Sequence, residues 1–214
     1  TPQCFNYILI SKILNKNKVI NTDECQAVIE SNYKVKFILG EINNIKITTT
    51  IPKHPKIFYG IGYDIHRLAV GRNFYLGGIK IKSKLGTIGH SDGDPVLHSL
   101  IDSILGACRM KDIGEMFPNK EMKFKNIRST ELIKIVISEI KKNNFYINNI
   151  DINIITETPK IKNYRKKIIR KISELCEVSE NKINVKGKTT EKLGIIGKEL
   201  AICSEVLTSV IKYD

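Results

Sequence analysis

The sequence lacks several features that would each indicate a particular class of protein. No apolar run approaches the roughly 20 residues that cross a bilayer. The five cysteines are scattered without a Cys-x-x-Cys pair, which argues against a disulfide framework and against a thiolate zinc site. No internal repeat of solenoid type occurs. These absences indicate one globular domain with reduced thiols and without a membrane span.

Arginine is scarce although the chain is strongly basic. The formal charge is +13, yet only 6 of the 35 basic residues are Arg and the other 29 are Lys. Because bidentate recognition of phosphates and bases favours Arg, this composition weakens the alternative of a nucleic-acid-binding module. A phosphorylated ligand fits the charge equally well. We interpret most lysines as a solvated surface and expect neither a nucleic-acid nor a membrane partner.

Residues 1–56 differ in composition from the rest of the chain. They contain no glycine before Gly40, are rich in Asn, Lys and Ile, and end in a segment with two prolines. We therefore predict a leader-like N-terminal extension over 1–56 and one domain over 57–214. The start without Met is interpreted as trimming. A basic leader of a plastid (apicoplast-like) protein is our expectation, although the acidic residues of this stretch count against a transit peptide.

Hydrophobic periodicity predicts strands that alternate with helices from residue 57. Strands are predicted over 57–65, 150–156 and 183–188, a hairpin over 74–81, and helices over 95–110, 129–142 and 164–176. The segment 200–211 fits a strand or a helix. Pro95 and the preceding Asp94 are typical of a helix start, and Ser129 is predicted to cap the next helix. This order indicates an α/β sandwich with a mostly covered sheet.

Two short motifs contain three of the four histidines, namely His66 in the first and His90 and His98 in the second. Asp64 and His66 lie two apart at the end of a predicted strand, so both side chains face the same side. His98 lies on the first turn of the predicted helix from Pro95, with Asp102 one turn beyond and placed to orient its ring. Taken alone, Asp64 and His66 could be an accidental surface pair. His98 alone could be a core histidine whose hydrogen bonds are satisfied. Together, three O and N ligands with an open fourth position are typical of catalytic zinc.

Further motifs stand in the order of one enzyme family. They are Asp64-Ile-His66, the run His90 to Asp94 followed by His98, Asp112-Ile-Gly114 with Phe117-Pro118, Thr158-Pro-Lys160, and Thr189-Thr-Glu191 with Gly194. Over about residues 57 to 212 the sequence thus resembles the 2-C-methyl-D-erythritol 2,4-cyclodiphosphate synthases of the non-mevalonate isoprenoid pathway. The resemblance implies a four-stranded mixed sheet packed with helices. It also implies a homotrimer with the sheets around the threefold axis and active sites at subunit interfaces.

The resemblance implies the reaction as well. The family's substrate is 4-diphosphocytidyl-2-C-methyl-D-erythritol 2-phosphate, whose 2-phosphate attacks the β-phosphorus, forms the cyclic diphosphate and expels CMP. Such an enzyme is a phosphorus–oxygen lyase. The nucleophile is already ionised near neutral pH, so positioning and charge neutralisation matter more than a general base. A zinc-dependent phosphodiesterase that uses water is the alternative with the same metal site.

Carried over by motif, the site residues have the following implied roles. Asp64, His66 and His98 would hold zinc, with a β-phosphate oxygen in the fourth position, and Glu191 would hold Mg²⁺ or Mn²⁺. His90 and Thr189 match transition-state stabilisers. Substrate contacts are implied for these two and for Asp64, His66, Ser91, Asp112, Ile113, Gly114, Phe117, Asn119, Thr156, Pro159, Lys160, Ile161, Lys162, Lys188, Thr190, Glu191, Ile195 and Lys198. Asn119, Lys188 and Lys198 depart from the family pattern. Considered without the other motifs, Asp112 could simply begin a turn and Glu191 could lie at a helix start.

Overall fold

The computed structural model consists of two compact units, Thr1–Lys53 and His54–Asp214. It describes residues 3–16, 24–38, 56–89, 91–118, 121, 124 and 127–212. His90, Asn119 and the Pro-containing end of the predicted extension lie outside these residues. Within the described residues, no helix is long and apolar enough to span a bilayer.

The first unit contains two short helices, α1 (Tyr7–Lys16) and α2 (Glu24–Glu30). Its described core is small, because only Ile13, Ala27 and Val28 are buried apolar residues there. Several large apolar side chains of the same unit remain exposed, among them Tyr7, Phe37 and Ile38.

The second unit has the predicted α/β architecture. Its strands are β1 (Lys56–Val70), β2 (Tyr75–Leu76), β3 (Ile79–Lys80), β4 (Leu85–Ile88), β5 (Phe145–Ile155), β6 (Ile183–Lys188) and β7 (Ala201–Lys212). Its helices are α3 (Pro95–Ala107), α4 (Ile113–Met116), α5 (Ser129–Lys142), α6 (Arg165–Cys176) and α7 (Gly194–Gly197), with 3-10 turns at Ile161–Asn163 and Glu180–Lys182.

The main sheet is mixed and has the strand order β4-β1-β7-β5-β6. Only β5 and β6 are parallel, and β7 pairs antiparallel with β1 on one side and β5 on the other. This two-sided pairing explains why the ambiguous segment 200–211 is a strand. The sheet has five strands instead of the expected four, because the four-residue β4 pairs with the end of β1 and is too short for a periodicity signal.

One face of the sheet is covered by α3, α5 and α6. The core between them is built from large aliphatic side chains, including Leu100, Ile104, Ile133 and Ile152. The expectation of a mostly covered sheet is wrong for the other face of β1. There the alternate residues are exposed, because no described element of the second unit packs on them: Ile57, Tyr59, Ile61, Tyr63 and Ile65.

The predicted helices are present with small shifts at their ends. α3 ends at Ala107, three residues early, and Arg109 just beyond it has a left-handed backbone with φ 58°. α5 starts at Ser129 as expected, but its N-cap position is Arg128, whose side chain makes no capping hydrogen bond. The hydroxyl of Ser129 is used elsewhere, as described below.

Candidate functional site

The start of α3 is fixed by the buried carboxylate of Asp94. It accepts hydrogen bonds from the backbone N–H groups of Val96 and Leu97, both at 3.1 Å, which satisfies the first turn of the helix. The same carboxylate also accepts from Gly77 at 2.9 Å and Gly78 at 2.6 Å. Both glycines have positive φ, as the tight β2–β3 turn requires. Asp94 therefore joins the hairpin to the helix that carries His98.

Helix α3 lies unusually close to β1 because the strand presents glycine to it. A Cβ on Gly62 would lie 1.9 Å from the backbone oxygen of Ser99, and one on Gly60 would lie 2.1 Å from that of Ser103. Ser99 and Ser103 also hydrogen-bond β7 through the hydroxyls of Ser204 and Thr208. This close approach brings the first turn of α3 next to Asp64.

Asp64, His66 and His98 meet at this contact between β1 and α3. Nδ1 of each histidine lies 3.1 Å from Oδ2 of Asp64, and ligand atoms of all three lie within 4.8 Å of one another. Nδ1 of His66 is buried and makes no hydrogen bond of acceptable geometry despite its short distance to Asp64. Among the described residues, this is the one cluster of three such groups. A buried nitrogen without a partner, facing a carboxylate and a second imidazole, fits a bound divalent cation.

The electrostatics of the cluster favour the ligand form of Asp64. Burial opposes its ionisation, but contact with His66 and His98 outweighs burial and lowers the pKa of Asp64 to about 2. For His98, burial lowers the pKa, whereas the hydrogen bond to Asp64 and the nearby carboxylates raise it overall. An ionised carboxylate with two imidazoles is a donor set typical of zinc. The prediction of a metal site from these three residues is thus supported by their geometry.

The second nitrogen of His98 contacts a serine. Nε2 of His98 lies 2.9 Å from Oγ of Ser129, and that hydroxyl lies 2.5 Å from Oδ1 of Asp92. The predicted partner, Asp102, instead accepts a hydrogen bond from the backbone N–H of Ile113 at 2.8 Å. Helical spacing correctly puts Asp102 near His98, but its carboxylate turns toward the segment after α3.

A cavity of about 500 Å³ opens beside the three-residue cluster. His66 and His98 form its polar side, and Ser91 lines it as well. The rest of the lining is mostly apolar and includes the predicted substrate contacts Ile113, Gly114 and Phe117, with Phe124, Ile127 and Leu132. Asp112 begins α4, where its carboxylate accepts from the backbone N–H of Glu115 at 2.8 Å. The cavity suits a small ligand with an apolar side and a charged end.

A second cavity of about 390 Å³ is lined by a further group of the predicted contacts. It is lined by Thr156, Pro159, Lys160, Ile161, Lys162, Lys188 and Thr189, together with Arg165, Val185, Lys186 and Gly187. The two cavities share no lining residue. The predicted site residues that line a cavity therefore fall into two separate sets in a single chain, one with His66 and His98 and one with Lys160, Lys162 and Lys188.

The loop after β6 is held by Glu157, which the sequence analysis did not single out. Its carboxylate accepts from the backbone N–H groups of Thr190 at 2.9 Å and Lys192 at 3.3 Å. Chiefly because of the Thr190 bond, the pKa of Glu157 is lowered. Within this loop, Thr189 donates to the carboxylate of Glu191 at 2.8 Å. Ile195 and Lys198 follow on the exposed surface and line neither cavity.

Several known proteins are similar to this chain. The profile described as the YgbB family matches residues 57–211. A bifunctional enzyme IspD/IspF from Pelagibacter ubique is 52% identical over 216 residues, covering 100% of this chain and 58% of that protein. A bifunctional enzyme IspD/IspF from Campylobacter jejuni RM1221 is 38% identical and also matches the whole chain. The chain thus spans under two thirds of these relatives. Both are bacterial, so the predicted plastid location is not supported.

Solved structures show the same relationship. IspF from Plasmodium falciparum in a CDP complex is 42% identical, with a TM-score of 0.66 over 74% of this chain and 97% of that one. A CDP-bound 2C-methyl-D-erythritol-2,4-cyclodiphosphate synthase is 28% identical, with the same TM-score over 70% and 97%. The bifunctional IspDF of Campylobacter jejuni is 35% identical, with a TM-score of 0.72 over 97% of this chain and 58% of that one.

Proposed function

This chain belongs to the YgbB family, and we propose that it converts 4-diphosphocytidyl-2-C-methyl-D-erythritol 2-phosphate into 2-C-methyl-D-erythritol 2,4-cyclodiphosphate with release of CMP. The 2-phosphate attacks the β-phosphorus, so one P–O bond closes the ring while the bond from that phosphorus to the CMP oxygen breaks. The activity is that of a phosphorus–oxygen lyase in the non-mevalonate pathway. The family match supports the resemblance read from the motifs.

The observation that carries the proposal is the cluster of Asp64, His66 and His98 beside a cavity of ligand size. These three side chains would hold zinc, which when bound would supply Lewis-acid polarisation of a phosphate oxygen. The chain's own residues would fix where the reacting phosphates lie, because Asp64 and His66 stand on a strand and His98 on a helix packed directly against it. Ser91 contributes a hydroxyl at the same wall.

The second cavity supports a nucleotide-linked substrate. Lys160, Lys162 and Lys188 give it positive charge, which favours a diphosphate, and Pro159 and Ile161 give it apolar surface for a base. Two of the similar solved structures are CDP complexes, and we propose that this cavity receives the cytidine end. Thr189 lines this cavity and donates to the carboxylate of Glu191, which is exposed and would hold Mg²⁺ or Mn²⁺, a cation that would neutralise phosphate charge.

We propose a homotrimer in which each active site combines the two cavities from neighbouring subunits. The exposed face of β1 supports an oligomer, because its alternating Ile and Tyr side chains are 40% to 67% exposed and form a continuous apolar row. The separation of the predicted contacts into two cavities without a shared residue supports a composite site. The threefold arrangement itself comes from the family resemblance.

Turnover is tested by incubating the protein with the cytidyl substrate, Zn²⁺ and Mg²⁺ and following the products by ³¹P NMR. We expect equal amounts of CMP and cyclic diphosphate. Phosphate products without any cyclic diphosphate would instead favour the phosphodiesterase that uses water as its nucleophile. His98→Ala should abolish turnover because it removes a metal ligand from the site. Full turnover by that variant would contradict the assignment.

Mixing two inactive variants tests the composite site. His98→Ala and Thr189→Ala, co-refolded in equal amounts, should recover about a quarter of the wild-type sites, because one interface in four then combines two intact halves. His98→Ala mixed with Asp64→Asn is the matched control, since no subunit in that mixture has all three ligands. Recovery by the control, or none by the first mixture, would contradict a shared site.

We also propose that residues 57–214 form the synthase domain and that residues 1–56 belong to the part that precedes it in the bifunctional relatives. The family profile begins at residue 57, whereas the Pelagibacter relative matches the whole chain. A protein comprising residues 54–214 should then keep zinc binding and turnover. A folded fragment without turnover would contradict this division.

A further inference from the structure

The hydroxyl of Ser129 lies between the metal-site histidine and a second carboxylate. Ser129 is fully buried at the start of α5 but does not cap that helix. Its Oγ contacts Nε2 of His98 at 2.9 Å and Oδ1 of Asp92 at 2.5 Å. The backbone N–H of Ser129 donates to the same Asp92 oxygen at 3.2 Å. Asp92 thus fixes both the hydroxyl and the end of the helix that carries it.

The direction of each hydrogen bond follows from the chemistry of the groups. A carboxylate accepts and does not donate, so the Ser129 hydroxyl gives its proton to Asp92. The hydroxyl oxygen is then the acceptor for Nε2–H of His98. Without a cation, Nδ1 lies 3.1 Å from Asp64 Oδ2, and this contact requires a proton on Nδ1 because the carboxylate only accepts. When a cation replaces that proton, the bond from Nε2–H to Ser129 keeps the remaining proton on Nε2 and leaves the Nδ1 lone pair for the cation. The nitrogen that faces the other two ligands is therefore the one available to a cation.

We propose that Ser129 and Asp92 are positioning residues that orient His98 for metal binding and so set the affinity of the site for zinc. The inference rests on the zinc site proposed above and names the residues that support it. A ligating histidine commonly donates its second N–H to an acceptor that fixes the ring, and loss of that acceptor commonly weakens metal binding by about 10- to 100-fold. Here the acceptor is a hydroxyl supported by a carboxylate.

Zinc affinity of the full chain, measured by competition with a chromophoric chelator, tests this role. Ser129→Ala should bind zinc about 10- to 100-fold more weakly than wild type. Ser103→Ala is the matched control, because Ser103 is also a buried serine, on the same helix as His98, and its hydroxyl bonds Thr208 and the Leu100 carbonyl instead of a ligand. Ser103→Ala should lose stability without losing zinc affinity.

A second variant and a spectroscopic readout keep the test decisive. Asp92→Asn keeps the shape of the side chain but weakens the acceptor, so it should show a smaller loss of affinity in the same direction. The visible absorption of bound Co²⁺ reports ligand geometry and should change in Ser129→Ala but not in Ser103→Ala. Either Ser129→Ala or Asp92→Asn, folded and binding zinc as tightly as wild type, would overturn the positioning role while leaving the site intact. Failure of wild type to bind zinc would overturn the site as well.

Discussion

Replacing Gly62 with alanine would separate the two elements that carry the metal ligands. Gly62 lies on β1 two residues before Asp64, and a Cβ there would be 1.9 Å from the Ser99 oxygen and 2.8 Å from the Ser103 nitrogen. Both are backbone atoms of α3, so no side-chain rotation relieves the overlap. Ordinary contact begins at 3.4 Å, and strand and helix must therefore move apart by roughly 1.5 Å.

This displacement should affect metal binding more than folding. Overpacking of a core contact costs about 1 to 3 kcal/mol, which for a domain of this size lowers Tm by roughly 2 to 12 °C. Zinc accepts ligand distances only within about 0.2 Å of their usual values. A shift several times larger moves His98 on α3 away from Asp64 and His66 on β1. We therefore expect a folded protein whose zinc affinity has largely disappeared.

The control is Gly106→Ala on the same helix. A Cβ on Gly106 would meet its nearest atom at 3.8 Å, and alanine favours a helix by about 1 kcal/mol over glycine, so this variant should be neutral or slightly stabilised. Thermal unfolding and chelator competition are measured on both variants. Equal zinc affinity in Gly62→Ala and Gly106→Ala would refute the dependence of the site on the close approach of α3 to β1.

Three further predictions concern other parts of the second unit. Glu157→Ala removes the acceptor for the N–H groups of Thr190 and Lys192, so steady-state kinetics should show a higher KM for the cytidyl substrate at unchanged zinc affinity. Asp94→Ala leaves four N–H groups without their acceptor, and urea denaturation should show a loss of about 3 to 5 kcal/mol. Burial opposes ionisation of Asp151, but hydrogen bonds from Lys186 and Asn184 on β6 lower its pKa. Its contribution to stability is full above the unfolded pKa of about 3.9 and is lost as pH falls through the lowered pKa, so the stability difference from Asp151→Asn should close in acid.

The cluster of Asp64, His66 and His98 could be predicted because its signals are local. The period of two in a strand puts Asp64 and His66 on one face, and the helix start at Asp94 and Pro95 places His98 on a first turn. Each inference uses neighbouring residues only. The family motifs then indicated that the two elements meet, which periodicity alone does not show.

The partners of the cluster could not be predicted, because they depend on contacts between distant segments. A serine at a helix start has two uses, as a cap or as a tertiary partner, and the choice for Ser129 depends on His98, 31 residues earlier. The four-residue spacing from His98 to Asp102 is correct, yet the carboxylate finds a backbone donor at Ile113. The two-sided pairing of β7 is likewise set by strands that are far apart in the sequence.

The small residues between β1 and α3 set how closely the helix approaches the strand. Elsewhere the sheet is covered by Leu and Ile side chains, which hold a helix at a normal distance. Between α3 and β1 the contact is made by Gly60, Gly62, Ser99 and Ser103 instead, and hydroxyl pairs with β7 replace apolar packing. Larger residues would bury more apolar area, but they would hold the helix too far away for His98 to reach the strand ligands. Small residues at this contact therefore allow the short distance between α3 and β1 at which Asp64, His66 and His98 meet.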